Sequence, residues 1–355
     1  MNMTPSDPAT RAREEELTKR IAALEAKLSA IESTRAAPLK DWKTVLERGG
    51  LVMAWGLLIL ILGAFRPEQM FAWNSYATML GSNAMIVVLT LALMIPLVAG
   101  DFDLSVAATM GLSSMLIGVL NVKMGLDIGP AVLLAVASGA VIGAANAFFT
   151  LYFGIHSLIV TLGSGYFVAG LILWASNSNT IAGISMDLVN VVILTRFLGV
   201  PLAFYYAAAL TGVIWYVFQY TSMGRRLLFV GLGREVAKLS GVDVFRLRAG
   251  AFIASGIVAA IAGVLYTGMR GAADPSSALA FLLPAFAAAF LGSTTIYPGR
   301  FNAPGAIIAV YFLSTGIMGL NFLGVDSFVQ NLFYGGGLIL AVSVSQLIRG
   351  RKPMD

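Results

Sequence analysis

The sequence predicts an all-α polytopic membrane protein with about ten transmembrane helices, both termini cytosolic, and a short cytosolic helix between spans six and seven. Three observations lead there. Hydrophobic residues make up 58% of the chain and charged residues only 12%, whereas about a quarter of a soluble protein is charged. Ten apolar segments can be drawn, near 50–65, 76–98, 104–121, 129–151, 157–175, 200–219, 249–269, 281–297, 303–322 and 328–348. At about 1.5 Å per residue each can cross a hydrocarbon core of about 30 Å, some with tilt or a polar interruption. With that count nineteen Lys and Arg fall inside, and only Arg66, Lys123, Arg196 and Arg270 outside, which is the sense of the positive-inside bias.

Ahead of the first span, residues 1–13 carry Pro5, Pro8 and small polar residues and read as disordered. No cleavable signal is expected, because the first forty-odd residues are polar. Residues 14–37 form a predicted cytosolic amphipathic helix. Leu17, Ile21, Leu24, Leu28 and Ile31 alternate spacings of four and three, and Glu15 with Lys19 and Glu16 with Arg20 are supporting i,i+4 pairs. The run falls short of three heptads, so a helix lying on the membrane or on a partner fits as well as a coiled coil. Pro38 ends it. Residues 38–49 link to the transmembrane domain, 50–348, and 349–355 form a cytosolic tail. The longest outer connection, about 176–199, holds an apolar stretch, MDLVNVVIL, that suits either a short interfacial helix or a plain connector.

Inside the spans, the 38 glycines have mostly a packing explanation, and the spacing of Gly139 and Gly143 is of the GxxxG kind. The break Gly100-Asp101-Phe102-Asp103-Leu104-Ser105, preceded by Pro96, is different. A carboxylate at the bilayer centre costs at least about 2.5–3.5 kcal/mol on insertion scales. Either the second span ends here and an aspartate caps the next helix, or the break is re-entrant and its carboxylates line an aqueous path. Asn83, Asn146, Thr161, Ser164, Gln330, Asn331 and Gln346 are the other polar groups at membrane depth. Groups of this kind suit the path of a polar, neutral solute, and helix-to-helix hydrogen bonding accounts for them equally well. The path candidates are therefore Asn83, Asp101, Asp103, Ser105, Asn146, Thr161, Ser164, Gln330 and Asn331.

Several classes drop out. With no cysteine and a single His156, thiolate chemistry and Cys/His metal sites are excluded. The net charge of +5 is spread as topology requires, so no nucleic-acid partner is expected; membrane lipid is. No GxxxxGK[ST] motif occurs, so the chain is not expected to hydrolyse ATP or to hold a cofactor. An ion-coupled secondary carrier stays as the alternative from another class: no buried relay of acids and bases crosses the spans, as such a carrier usually shows, and only Asp101 and Asp103 speak for it.

The one sizeable polar island is Thr221–Arg248, TSMGRRLLFVGLGREVAKLSGVDVFRLR, with six basic residues against Glu235 and Asp243. Between Gly233 and Gly241, residues Glu235, Lys238, Leu239 and Val242 share one helical face. A short helix held outside the membrane by two spans is a contact device.

The motifs in order resemble the permease subunits of sugar-type ABC importers, the ribose permease family, over nearly the whole chain after residue 50. The family's GGIDLSVG is similar to Gly100–Val106, with Asp101-Phe102 in place of Gly-Ile. Its GxxNG is similar to Gly143-Ala-Ala-Asn146-Ala, and PxFIVTLG to His156-Ser-Leu-Ile-Val-Thr-Leu-Gly163. TxxGRRxxAxGGNxxAAxLSGIxVxRxK resembles Thr221–Arg226 and Glu235–Val244. LGGTSxxGGRGSxxGT is echoed by Leu291–Thr294 and Pro298–Gly305. The departures at Asp101, His156 and Phe301-Asn302 sit where the resemblance leaves the solute open. A monosaccharide or related polyol is expected, with branched-chain amino acids or nucleosides as alternatives.

The resemblance implies an inner-membrane importer subunit paired with a second copy or a paralogue. A cytosolic ATPase binding ATP and magnesium would dock on it, and a periplasmic or lipid-anchored binding protein would deliver the solute. It also assigns the ATPase-coupling role to Gly224, Arg225, Arg226, Arg234, Glu235, Ala237, Lys238, Leu239, Ser240 and Gly241.

Overall fold

The computed structural model of the chain describes residues 16, 18–23, 25, 42–326 and 328–348. The predicted disordered stretch 1–13 and the tail 349–355 lie outside the described residues, as does most of the segment 14–41. Residues 16, 18–23 and 25 are helical, and Arg20 reaches Glu16 at 3.3 Å, one of the two pairs that the spacing predicts.

Beyond these, the chain forms helices α1 (Trp42–Phe65), α2 (Trp73–Ser82), α3 (Ala84–Val98), α4 (Val106–Ile117), α5 (Ile128–Tyr152), α6 (Ser157–Ser176), α7 (Leu202–Tyr220), α8 (Ser222–Leu232), α9 (Arg234–Leu239), α10 (Val244–Arg270), α11 (Leu282–Gly292), α12 (Ala303–Phe322) and α13 (Phe328–Ile348). Among the described residues seven stretches are long and apolar enough to cross a membrane, and α2 with α3 makes an eighth if the pair, bent by 42° at Asn83, is one span. Ala278–Gly292, which contains α11, and Phe328–Leu340 of α13 are shorter apolar helices. The chain is a polytopic, mainly helical membrane protein. The span expected as one helix over 76–98 is thus a broken pair. In the connection over 176–199, Met186–Val189 and Asn190–Leu194 are helical, which gives the MDLVNVVIL stretch the short-helix form.

Two helices organise the bundle. Every residue of α3 from Ala84 to Val98 is buried, and an all-round apolar sequence belongs in the centre. The other is α10, which packs on α5, α3 and α4. Its approach to α5 is a glycine contact: a Cβ at Gly139 would strike the Gly256 carbonyl, and one at Gly143 the Phe252 carbonyl. Small residues let backbones meet where lipid gives no hydrophobic drive to associate.

The connections fall into two groups. In the first, Arg48 accepts from Thr295 and Ile296, Phe102 donates to Ser157, and Arg234 donates to Gly100. In the second, Asn121 bonds Ser185, Ile184 bonds Gly271, Ile181 pairs with Ala273, and Gly199 lies against Trp73. The long apolar helices connect these two groups, while α8 and α9 lie with the first.

Candidate functional site

The break between α3 and α4 is non-helical backbone inside a membrane protein, tolerable only where protein satisfies it. Gly100 turns the chain at φ +77°, a left-handed conformation that glycine adopts freely. The next residues lie along α6. Ser157 Oγ accepts from Phe102 N at 3.1 Å, Thr161 Oγ1 accepts from Leu104 N at 3.0 Å, and Thr161 donates to the Phe102 carbonyl at 3.3 Å. These two hydroxyls replace the bonds that a helix would have made.

Asp103 and Ser105 close the break. Asp103 Oδ1 accepts from Ser105 N at 3.0 Å and from Ser105 Oγ at 2.6 Å. Its Oδ2 accepts from Ser255 Oγ of α10 at 2.8 Å, and Asn146 of α5 donates to Ser105 Oγ at 2.8 Å. Asp103, Ser105, Asn146, Thr161 and Ser255 are all at most 1% exposed. Four of the path candidates, Asp103, Ser105, Asn146 and Thr161, therefore come together, in a closed knot that ties α4, α5, α6 and α10. None of them lines any of the clefts described below.

Asp101 faces the other way, toward the polar island. Arg248, in the second turn of α10, grips it with Nε at 2.6 Å and Nη2 at 2.7 Å. Arg234, the first residue of α9, reaches Asp101 at 2.9 Å and the Gly100 carbonyl at 2.8 Å. The Asp101 side chain is 3% exposed, Arg248 14% and Arg234 41%. Charge-assisted bonds to both carboxylate oxygens offset the desolvation that burial imposes. The spacing did not foresee that the two chemistry-bearing stretches touch.

The island holds more helix than the expected pair of turns. Thr221 caps α8 by accepting from Gly224 N at 3.1 Å, and Asp243 caps α10 through Arg246 N at 3.0 Å. Gly224 lies on the α7 backbone and Gly231 on the Val98 carbonyl, where any Cβ would collide. Helix α9 matches the expected position. Ala237 is its buried anchor, while Val236 is 58% and Leu239 88% exposed, beside exposed Glu235, Lys238, Ser240 and Gly241. Leu232, at the end of α8, is 79% exposed. Arg225 and Arg226 are exposed, and Arg225 donates to the Tyr220 carbonyl at 3.0 Å.

On the opposite face a cleft of about 480 Å³ opens between α2, α12 and α13. Asn74, Ser75, Thr78, Asn83, Ser314, Asn321 and Tyr334 supply its polar lining, and among the described residues no charged side chain is in its walls. Asn83 is the one path candidate there. Gln330 donates to Asn321 at 2.9 Å on its edge, Asn331 is exposed on α13, and Ser164 bonds back to Thr161 within α6. The sequence reading missed Asn74, Thr78, Ser314 and Asn321, whose signal was a polar residue at helical spacing in an apolar run. On the first face a cleft of about 520 Å³ lies among Gly100, Phe102, Leu228, Leu232, Phe290 and Arg300.

Two departures from the resembled motifs have structural roles. Asn302 caps α12, accepting from Gly305 N at 2.7 Å and donating toward the carbonyls of Gly292, Thr295 and Arg300 at 3.0–3.2 Å. His156 caps α6 by accepting from Leu158 N at 3.3 Å. Among the described residues no cluster of three His, Asp or Glu could hold a metal.

Residues 75–342 match the family described as the permease component of branched-chain amino acid transport systems. The chain belongs to this family of transport permeases. It is 28% identical over 303 residues to the D-allose transport system permease protein AlsC of Escherichia coli K12, covering 85% of this chain and 92% of that one. It is 30% identical over 291 residues to the autoinducer 2 import system permease protein LsrD of Photorhabdus laumondii, covering 80% of this chain and 86% of that one. No solved structure matches. The permease is thus a non-enzymatic transport subunit of an ABC importer, as the motifs imply.

Proposed function

We propose that the permease passes a small, uncharged, polyhydroxylated solute, a monosaccharide or close relative, across a bacterial inner membrane. A separate cytosolic ATPase, which binds ATP and magnesium, drives it through α9. The observation that carries this is the exposed face of α9, where Val236 and Leu239 stand 58% and 88% exposed beside exposed Glu235 and Lys238. Exposed aliphatic side chains on a short helix rimmed by charge are what a partner protein covers.

The seven long helices, the α2–α3 pair and the two shorter apolar helices make ten crossings in this reading. The two groups of connections then become the cytosolic and outer faces, with both termini on the side of α9. On the outer face a solute-binding protein would deliver to the cleft of about 480 Å³, whose amides and hydroxyls can donate to and accept from sugar hydroxyls. An amino acid would bring two charges to walls that carry none, which favours a sugar over the amino-acid alternative. The D-allose and autoinducer 2 permeases are consistent relatives. A second permease copy or a paralogue would complete the pathway.

The test is Leu239→Asp in the importer expressed with its ATPase. Retention of the ATPase on the purified permease should fall at least tenfold with the amount of permease in the membrane unchanged. Full retention would remove α9 as the docking site. Uptake of radiolabelled D-allose against radiolabelled leucine by the assembled importer decides the solute class.

A further inference from the structure

We propose that Asp101 is a mechanical clamp that makes the break between α3 and α4 follow the movement of α9, with Arg234 as the moving arm and Arg248 as the fixed one. This rests on the reading of α9 as the ATPase contact and names how its motion enters the membrane domain. Asp101 is the only residue of the break that bonds outside it through its side chain to the polar island, among the described residues. Its two partners differ in a way that suits a transmitter. Arg248 holds both carboxylate oxygens in a two-pronged grip from within the long helix α10, a geometry that resists rotation. Arg234 opens α9, is 41% exposed, and touches both the Asp101 carboxylate and the Gly100 carbonyl. A pull on α9 is thus applied at two points of the turn where Gly100 already sits at φ +77°.

The backbone that would move is held on its far side by hydroxyls. Phe102 and Leu104 bond Ser157 and Thr161 through main-chain atoms at 3.0–3.3 Å, and the Asp103 knot anchors the start of α4. Between clamp and knot lies Phe102, whose partly exposed side chain walls the cleft of about 520 Å³ on the first face. Movement of the break therefore turns Phe102 relative to Leu228, Leu232 and Arg300. Positioning, and not solute contact, is the role assigned to Asp101 and Arg234.

The absence of cysteine allows a direct test. Phe102→Cys keeps the main-chain bonds of residue 102 and serves as a reporter of thiol labelling. The rate is read in the assembled importer with its ATPase, without nucleotide and trapped with ATP and vanadate. The expected result is a labelling rate that changes at least fivefold on trapping, and a response reduced to less than twofold when Asp101→Asn or Arg234→Gln is added. Arg234→Gln leaves the Arg248 grip intact, so it tests the link even where Asp101→Asn fails to assemble. An undiminished response in Arg234→Gln overturns the clamp, as does a reporter that never responds to trapping. Loss of the ATPase from Arg234→Gln also overturns it, because Arg234 would then be a docking contact. Failure of the docking reading shows separately, as full ATPase retention in Leu239→Asp.

Discussion

Ser105→Ala separates a structural knot from a solute path. Ser105 donates to Asp103 at 2.6 Å and accepts from Asn146 at 2.8 Å, at 1% exposure. A hydrogen bond to a carboxylate contributes about 1.5–3 kcal/mol, and an uncharged side-chain bond in a membrane protein about 0.6–1.7 kcal/mol. The remaining bond from Ser105 N to Asp103 survives the substitution, so the loss comes to about 2–5 kcal/mol. For a domain of about 300 residues this lowers the midpoint of thermal unfolding by roughly 3–8 °C. The assay is thermal unfolding of the purified permease in detergent beside solute uptake at several concentrations. The expected outcome is a lower Tm with KM for uptake within twofold of the native value. An unchanged Tm with KM raised severalfold would refute the reasoning and return Ser105 to the path.

The cleft residues should behave in the opposite way. Asn321→Ala, which also frees Gln330, should raise KM at least threefold with little change in Tm, measured in the same two assays. Asn302→Ala removes a cap and leaves the carbonyls of Gly292, Thr295 and Arg300 without that donor; we expect a loss of about 2–4 kcal/mol, read as a lower Tm. Gly139→Leu should prevent α5 from seating on α10, where a Cβ already meets the Gly256 carbonyl, and limited proteolysis of membranes should then cut a chain that inserts but does not pack. Glu235→Lys with Ala237→Asp places a carboxylate at the buried anchor of α9, so solute uptake should be lost while the amount of inserted permease stays constant.

Much of this fold was legible because membrane crossing leaves a coarse signal. A span is an apolar run of known length, and α9 announced itself by Gly233, Gly241 and a shared face. What stayed illegible depended on contacts between distant segments. Asp101 and Arg234 stand 133 residues apart, and nothing in the local pattern says that one island neutralises the other. The bend at Asn83 was missed because Gly81-Ser82-Asn83 is only a short polar interruption in an otherwise apolar run, which a single span also tolerates. Asn302 and His156 attracted attention as departures from a motif, yet both act as helix caps, a local task that many polar residues perform.

The two readings of the Gly100–Ser105 break divide between its two aspartates. Asp103 holds the backbone at the start of α4 and is sealed by Ser105 and Ser255. Asp101 is turned out of the bundle interior to meet two arginines from the island. A bare pair of carboxylates in a membrane would demand an aqueous path, but neither is bare: one is satisfied by hydroxyls and the other by guanidinium groups. In the proposed reading the charge marks where force would enter the membrane domain, while the polar cleft across the bundle is where a neutral solute would find its hydrogen bonds. Separating the two has a physical advantage. A clamp built of ion pairs can be stiff without presenting charge to the solute, and a cleft without charge can bind weakly enough to release what it admits.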